Sequence, residues 1–144
     1  MIITYPVIFT DVENNILIEV PDLGILTQSN SEDEPKGTLA DAIAMARDAI
    51  GIKCITLEDE GKEVKEPSAI EAIDISKGTF EDDGKSFISL VDVDLTAYRR
   101  KIDNRAVRRN VTLPNWLNVE ADRAKINVSK VLQEALKQKI GYIN

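Results

Sequence analysis

The 144 residues include no histidine and a single cysteine, which removes the nucleophile and base pairs that hydrolases commonly assemble from these residue types. Cys54 cannot close an internal disulfide and has no local partners for a metal site, so its expected place is inside, as a small hydrophobe. No glycine-rich loop with its lysine is present to cradle a phosphate. Long apolar runs are missing too. Nothing approaches the length needed to cross a bilayer, and Met1-Ile2-Ile3-Thr4-Tyr5-Pro6 lacks the basic flank and apolar core of a secretory signal. These absences lead to the expectation of a cytoplasmic chain with no cofactor, no metal and no membrane partner.

What remains for chemistry is carboxylate. Asp11, Glu13, Asp92 and Asp94 could in principle hold Mg²⁺ for phosphodiester cleavage. Asp92 and Asp94 share strand parity between Val91, Val93 and Leu95, however, and a solvated strand face explains that parity without a metal. The net charge of -7 hides a division. Residues 1–98 hold 7 basic and 21 acidic side chains, net -14, whereas residues 99–144 hold 11 and 4, net +7. The basic end suits a polyanion; the acidic end would be attracted to a basic protein.

The basic end is also the most ordered in its signals. Arg105 to Leu113 reads as a short strand stopped by Pro114, with Arg108, Asn110 and Thr112 on one face and Val107, Val111 and Leu113 on the other. Leu117, Ala121 and Ala124 then recur at helical spacing in a first helix that should stop near Lys125. Asn127 or Ser129 can cap a second, whose Val131, Leu132, Ala135, Leu136 and Ile140 form another stripe before Gly141. One strand and two short helices cannot close a core alone, so this segment is expected to dimerise, with the strand pairing with its twofold mate.

In the acidic part, Thr4–Thr10 and Ile16–Val20 read as strands across a turn at Asp11 to Asn15, where Asn14-Asn15 would tolerate left-handed backbone. A shorter strand covers Ile25 to Gln28. Thr38 is a plausible cap for a helix carrying Leu39, Ala42, Ile43, Ala46, Ala49 and Ile50 on one face, with Gly51 as its end or a weak point. A last strand, Ser86 to Leu95, precedes a linker at 97–104.

Two resemblances follow from these residues. Val111-Thr112-Leu113-Pro114 and Asn127-Val128-Ser129-Lys130-Val131-Leu132-Gln133-Glu134-Ala135 resemble the ribbon-helix-helix family of DNA-binding proteins. That likeness implies that Arg108, Asn110 and Thr112 read base edges, and that the start of the second helix, Asn127, Val128, Ser129 and Lys130, holds a phosphate. Tyr5-Pro6-Val7-Ile8-Phe9, Glu19-Val20-Pro21-Asp22-Leu23, Thr27-Gln28, Ala42 to Ile50 and Gly61 to Ser68 are similar to the N-terminal domain of HicB antitoxins. The family usually shows prolines where this chain has Lys65 and Gly24.

Together the resemblances imply an α+β chain. Residues 1–96 would be a HicB-like toxin-binding domain, a partial ribonuclease H-like sheet with one helix; 97–104 a linker; and 105–144 a ribbon-helix-helix DNA-binding domain. The implied function is an antitoxin, not an enzyme, that neutralises a HicA-type mRNA-cleaving toxin and binds operator DNA as a homodimer, or a dimer of dimers, to repress its own operon. Two other readings stay open: a metal-dependent ribonuclease H-like nuclease using the carboxylates above, and a stand-alone repressor whose N-terminal domain senses a small ligand.

Overall fold

A computed structural model describes residues 1–141. The chain divides into two compact units, Met1–Arg105 and a second from Ala106 onward. In unit 1, strands β1 (Ile2–Val12), β2 (Asn15–Val20), β3 (Ile25–Gln28) and β4 (Lys85–Asp94) form one antiparallel sheet in the order β3-β2-β1-β4. Helix α1 (Leu39–Asp59) covers one face. Thr38 caps it in a reciprocal box: its hydroxyl accepts from the Asp41 N–H, and the Asp41 carboxylate accepts from the Thr38 N–H at 2.7 Å.

The alternation of β1 explains which residues meet that helix. Tyr5, Val7 and Phe9 point to one side, where Ile16, Ile18 and Val20 of β2 and Val91 and Val93 of β4 join them against Ala42, Ala46, Ile50 and Cys54. Ala42, Ala46 and Cys54 are small and recur every four or eight residues, so the helix can lie close to the sheet. Cys54 is fully buried, and burial pushes its thiol upward, so it is held as a neutral thiol.

The other face, with Pro6, Ile8 and Thr10, is covered by a strap of chain between α1 and β4 that contains three short 3-10 turns, Ile70–Ala72, Ile75–Lys77 and Glu81–Asp83. The strap is pinned at named points. Glu19 accepts from the N–H and hydroxyl of Thr79 at 2.9 and 2.8 Å, and Tyr5 donates its hydroxyl to the Lys65 carbonyl at 2.5 Å. At its end Gly84 passes so close to the Asp11 carbonyl that a Cβ there would overlap it.

Several expectations are corrected here. Residues 97–104 are for the most part not a linker, because helix α2 (Leu95–Ile102) occupies them. Asp94 ends β4 and caps α2, accepting from the Ala97 N–H at 3.1 Å, and Leu95 is buried. Unit 1 therefore has two helices, not one. Tyr98 lies on α1 where Gly51 leaves room, and its hydroxyl donates to Asp48 at 2.6 Å. Arg99 bridges Glu58 and Asp59 at 3.0 and 2.9 Å. Gly51 is thus neither the end of α1 nor only a weak point: it is the seat of α2.

The β1–β2 turn, at Glu13 and Asn14, uses no left-handed residue. Asn15 is instead buried, its amide donating to the Asn30 carbonyl at 2.8 Å and its Oδ1 accepting from the Ser29 hydroxyl at 2.9 Å. A side chain read as turn chemistry is spent on tying the loop after β3 to the hairpin.

Unit 2 holds α3 (Asn115–Arg123) and α4 (Val128–Lys139) after residues 103–114, which have neither helix nor strand. The strand expected over Arg105 to Leu113 is not formed in the single chain, where among the described residues no second strand lies beside it to bond. Helix α3 ends in a Schellman arrangement. Lys125 adopts φ 53°, its N–H donates to Asp122 O at 3.1 Å, and Ile126 N–H donates to Ala121 O at 3.0 Å.

Candidate functional site

Arg108, Asn110 and Thr112 are exposed in the stretch before α3. Asn127, left open with Ser129 as the cap of α4, is the cap: its Oδ1 accepts from the Lys130 N–H at 3.1 Å. That bond brings Asn127, Val128, Ser129 and Lys130 into one turn. It serves the third N–H of the helix, and the fourth, on Val131, reaches the Asn127 carbonyl. Among the described residues nothing accepts from Val128 N–H or Ser129 N–H, so two donors point outward at the positive end of a helix.

The apolar residues of unit 2 have no core of their own. None of its described residues is buried; Leu113, Ala121, Val128 and Leu132 are half-covered, while Trp116 is 68% exposed, Leu136 61% and Ile140 72%.

The four carboxylates considered for a metal are dispersed. The register sets Asp11 opposite Lys85 and Asp92 opposite Thr4, which puts them about 23 Å apart along the sheet at roughly 3.3 Å per residue. Three of them also have other work: Asp11 pairs with Lys36, Asp92 with Arg47 at 3.0 Å, and Asp94 caps α2. Among the described residues no group of three or more metal-ligating side chains is gathered. The grooves of unit 1 are open depressions, and the one lined by Ile2, Arg47, Asp92, Val93 and Tyr98 lies beside β4.

A feature missed in the sequence is the Asp22 carboxylate. It is nearly inaccessible and accepts from the Ser68 N–H at 2.9 Å, from the Ser68 hydroxyl at 2.6 Å and from Lys65 Nζ at 3.0 Å. Burial alone would raise its pKa; the Ser68 donors and Lys65 outweigh that and hold it below the usual carboxylate range. Asp22 is the latch that fastens the strap. The signal was in view only as two fragments, Asp22-Leu23 and Glu66-Pro67-Ser68, separated by more than forty residues.

The family model of the HicB-like antitoxin of bacterial toxin-antitoxin systems matches residues 5–138. The chain belongs to the HicB-like antitoxin family. Among solved structures, this HicB-like chain is similar to one in a toxin-antitoxin complex from Streptococcus pneumoniae, with 26% identity and a TM-score of 0.57 over 96% of this chain and 99% of that one. It also resembles the antitoxin HicB of Burkholderia pseudomallei, with 21% identity and a TM-score of 0.49 over 99% of both chains. No curated protein sequence gives a significant match. Among the described residues no helix is long and apolar enough to cross a membrane.

Proposed function

We propose that this antitoxin neutralises a HicA-type RNA-cleaving toxin through unit 1 and, as a dimer or dimer of dimers in the cytoplasm, binds operator DNA through unit 2 to repress its own operon. The observation that carries this reading is a division of labour. Unit 1 closes its own core and holds 11 basic against 22 acidic residues, net -11. Unit 2 holds 7 against 3, net +4, and leaves its apolar stripes for something else to cover.

A second copy covers those stripes most simply. Two 105–113 stretches pairing about a twofold would make a ribbon with Arg108, Asn110 and Thr112 on its outer face, where side chains reach base edges. The outward N–H groups of Val128 and Ser129, with Asn127 and Lys130, then suit a backbone phosphate. Unit 1 is consistent with the partial ribonuclease H-like sheet that the resemblance implies, here used to block an active site and not to cleave. An RNA-cleaving partner needs a positive surface for its substrate, and an acidic domain competes for it.

Two measurements test the proposal. In titrations on operator and scrambled duplexes, Arg108→Ala or Asn110→Ala should narrow the difference between them by about 1 to 3 kcal/mol per base contact, whereas Lys130→Ala weakens both alike. Equal losses for the strand variants count against base reading. Adding the full chain to a HicA-type toxin should stop RNA cleavage at stoichiometric amounts.

A further inference from the structure

The outer edge of β4 is an open strand edge, and its wiring can be read from two hydrogen bonds. Leu95 N–H donates to Met1 O at 2.9 Å, so Leu95 faces β1. The register then runs without interruption from Ile2 opposite Asp94 to Asp11 opposite Lys85. In an antiparallel ladder the residues that bond to a given neighbour alternate, so Val93, Val91, Ser89 and Phe87 bond inward while Asp92, Leu90, Ile88 and Ser86 turn their N–H and C=O groups away from β1. Arg47 agrees: its Nε donates to the Asp92 carbonyl at 3.1 Å, on the outer side. Arg47 thus closes one end of the edge, and among the described residues no hydrogen bond reaches the outward backbone groups of Ser86, Ile88 and Leu90.

Edge strands are ordinarily protected by charge, proline, a bulge or shortness. β3, at the other edge, is four residues long. β4 is ten, and Ser86-Phe87-Ile88-Ser89-Leu90-Val91 contains no charge and no proline. Its apolar side chains stand uncovered on both faces, Phe87 at 41% and Leu90 at 54% exposure. Such an edge is a template for another strand.

Charge decides which strand. The run is flanked by Lys85 before it and by Asp92, paired with Arg47, after it; beyond these stand Glu81, Asp82 and Asp83 on one side and Asp94 on the other, so both ends are acidic on balance. A second copy paired antiparallel about Ile88 lays Asp94 of each strand beside the Glu81–Asp83 turn of the other, while Lys85 offsets Asp92 alone. Like charges directly opposite destabilise a strand pair. A strand with basic residues at its ends meets opposite charge at both. We infer that the β4 edge is where unit 1 takes up its protein partner, by accepting an exposed strand of the basic toxin as a fifth strand of the sheet; the inference rests on the toxin-neutralising reading and names the surface. Main-chain bonds to Ser86, Ile88 and Leu90 supply the affinity, Phe87 and Leu90 supply apolar contact, and the acidic brackets set the register.

The test uses the full chain and a HicA-type toxin. Leu90→Pro removes an outward donor and leaves the inward ladder to β1 intact, since proline is tolerated where its missing N–H faces away from the sheet. Leu90→Arg keeps the backbone and adds a charge that repels a basic strand, so it serves even if the proline variant does not fold. Both are expected to weaken toxin binding about tenfold or more, the equivalent of one or more interface hydrogen bonds, with unchanged operator binding. In amide exchange followed by NMR, Ile88 and Leu90 should exchange fast in the free protein and become protected in the complex. Wild-type affinity in a folded Leu90→Arg variant, or unprotected Ile88 and Leu90 amides in the complex, overturns the edge as the site while leaving the toxin reading intact. If the wild-type chain does not bind the toxin at all, both fall together.

Discussion

Asp22 shows how much one side chain can hold in this protein. Three donors converge on its carboxylate, and replacing it with alanine leaves the Ser68 hydroxyl and N–H without an acceptor. With bonds to a charged group contributing about 1.5 to 3 kcal/mol each, Asp22→Ala should cost at least about 2 kcal/mol and free the strap. Trypsin cleavage after Lys77 should then accelerate, with the β1–β2 hairpin still protected. The pH dependence follows from the sign of the shift. The folded pKa lies below the unfolded value of about 3.9, so the contribution is fully present above that pH and is lost as pH falls through the folded value. Acid denaturation of wild type and Asp22→Asn, followed by circular dichroism, should show a shallower loss of stability below pH about 4 in the variant. A second position carries strain. Lys125 holds a left-handed conformation that costs a non-glycine residue about 1 kcal/mol, so Lys125→Gly should raise the melting temperature of unit 2. A lower melting temperature would show that the lysine side chain stabilises this turn by more than its strain.

Between α1 and α2 a glycine and a tyrosine fix each other. In an isolated helix Gly51→Ala gains about 1 kcal/mol of propensity. Here the new Cβ would sit 2.8 Å from the Tyr98 ring, too close for any real Cβ contact, so α2 must shift. The expected outcome is a change of sign with background: Gly51→Ala destabilises the wild-type chain but stabilises Tyr98→Ala, as a double-mutant cycle by thermal unfolding would show. This pair also shows why some elements were legible in the sequence and α2 was not. Thr38, and Asn127 or Ser129, announce their helices by local chemistry, a cap followed by apolar spacing, and β1, β2 and β3 by short apolar runs between turn residues, all within a few residues. Helix α2 is eight residues long and basic, and what makes it a helix in place is Gly51, over forty residues earlier. Asp22 with Ser68 and the bonding direction of β4 are long-range facts of the same kind. Local pattern shows where an element can form; only the register shows which of its groups are left unused.

For the whole molecule, the division at Arg105 moves the charge boundary read from the sequence. Arg99, Arg100 and Lys101 belong to α2 in unit 1, so the acidic unit is net -11 rather than -14, and the second unit net +4 rather than +7. Unit 2 alone buries none of its described residues, so a segment comprising it should sediment as a dimer, and a folded monomer at micromolar concentration would contradict the ribbon pairing. Unit 1 is different: its core is closed by α1, the strap and α2 without any residue beyond Arg105. A fragment 1–105 is therefore expected to fold, whereas one cut at residue 96 loses Tyr98 from the seat on Gly51 and Arg99 from Glu58 and Asp59, exposing apolar surface on α1. If neutralisation lives in unit 1, the 1–105 fragment should suppress RNA cleavage by the toxin at near-stoichiometric amounts, and raising the salt concentration should slow the association more than it speeds release, because the acidic surface steers the encounter while buried contacts set the lifetime. Stopped-flow association at several ionic strengths reads both rates. A folded 1–105 fragment in excess that leaves cleavage unchanged would mean that inhibition requires the second unit, and the division of labour between the two would have to be redrawn.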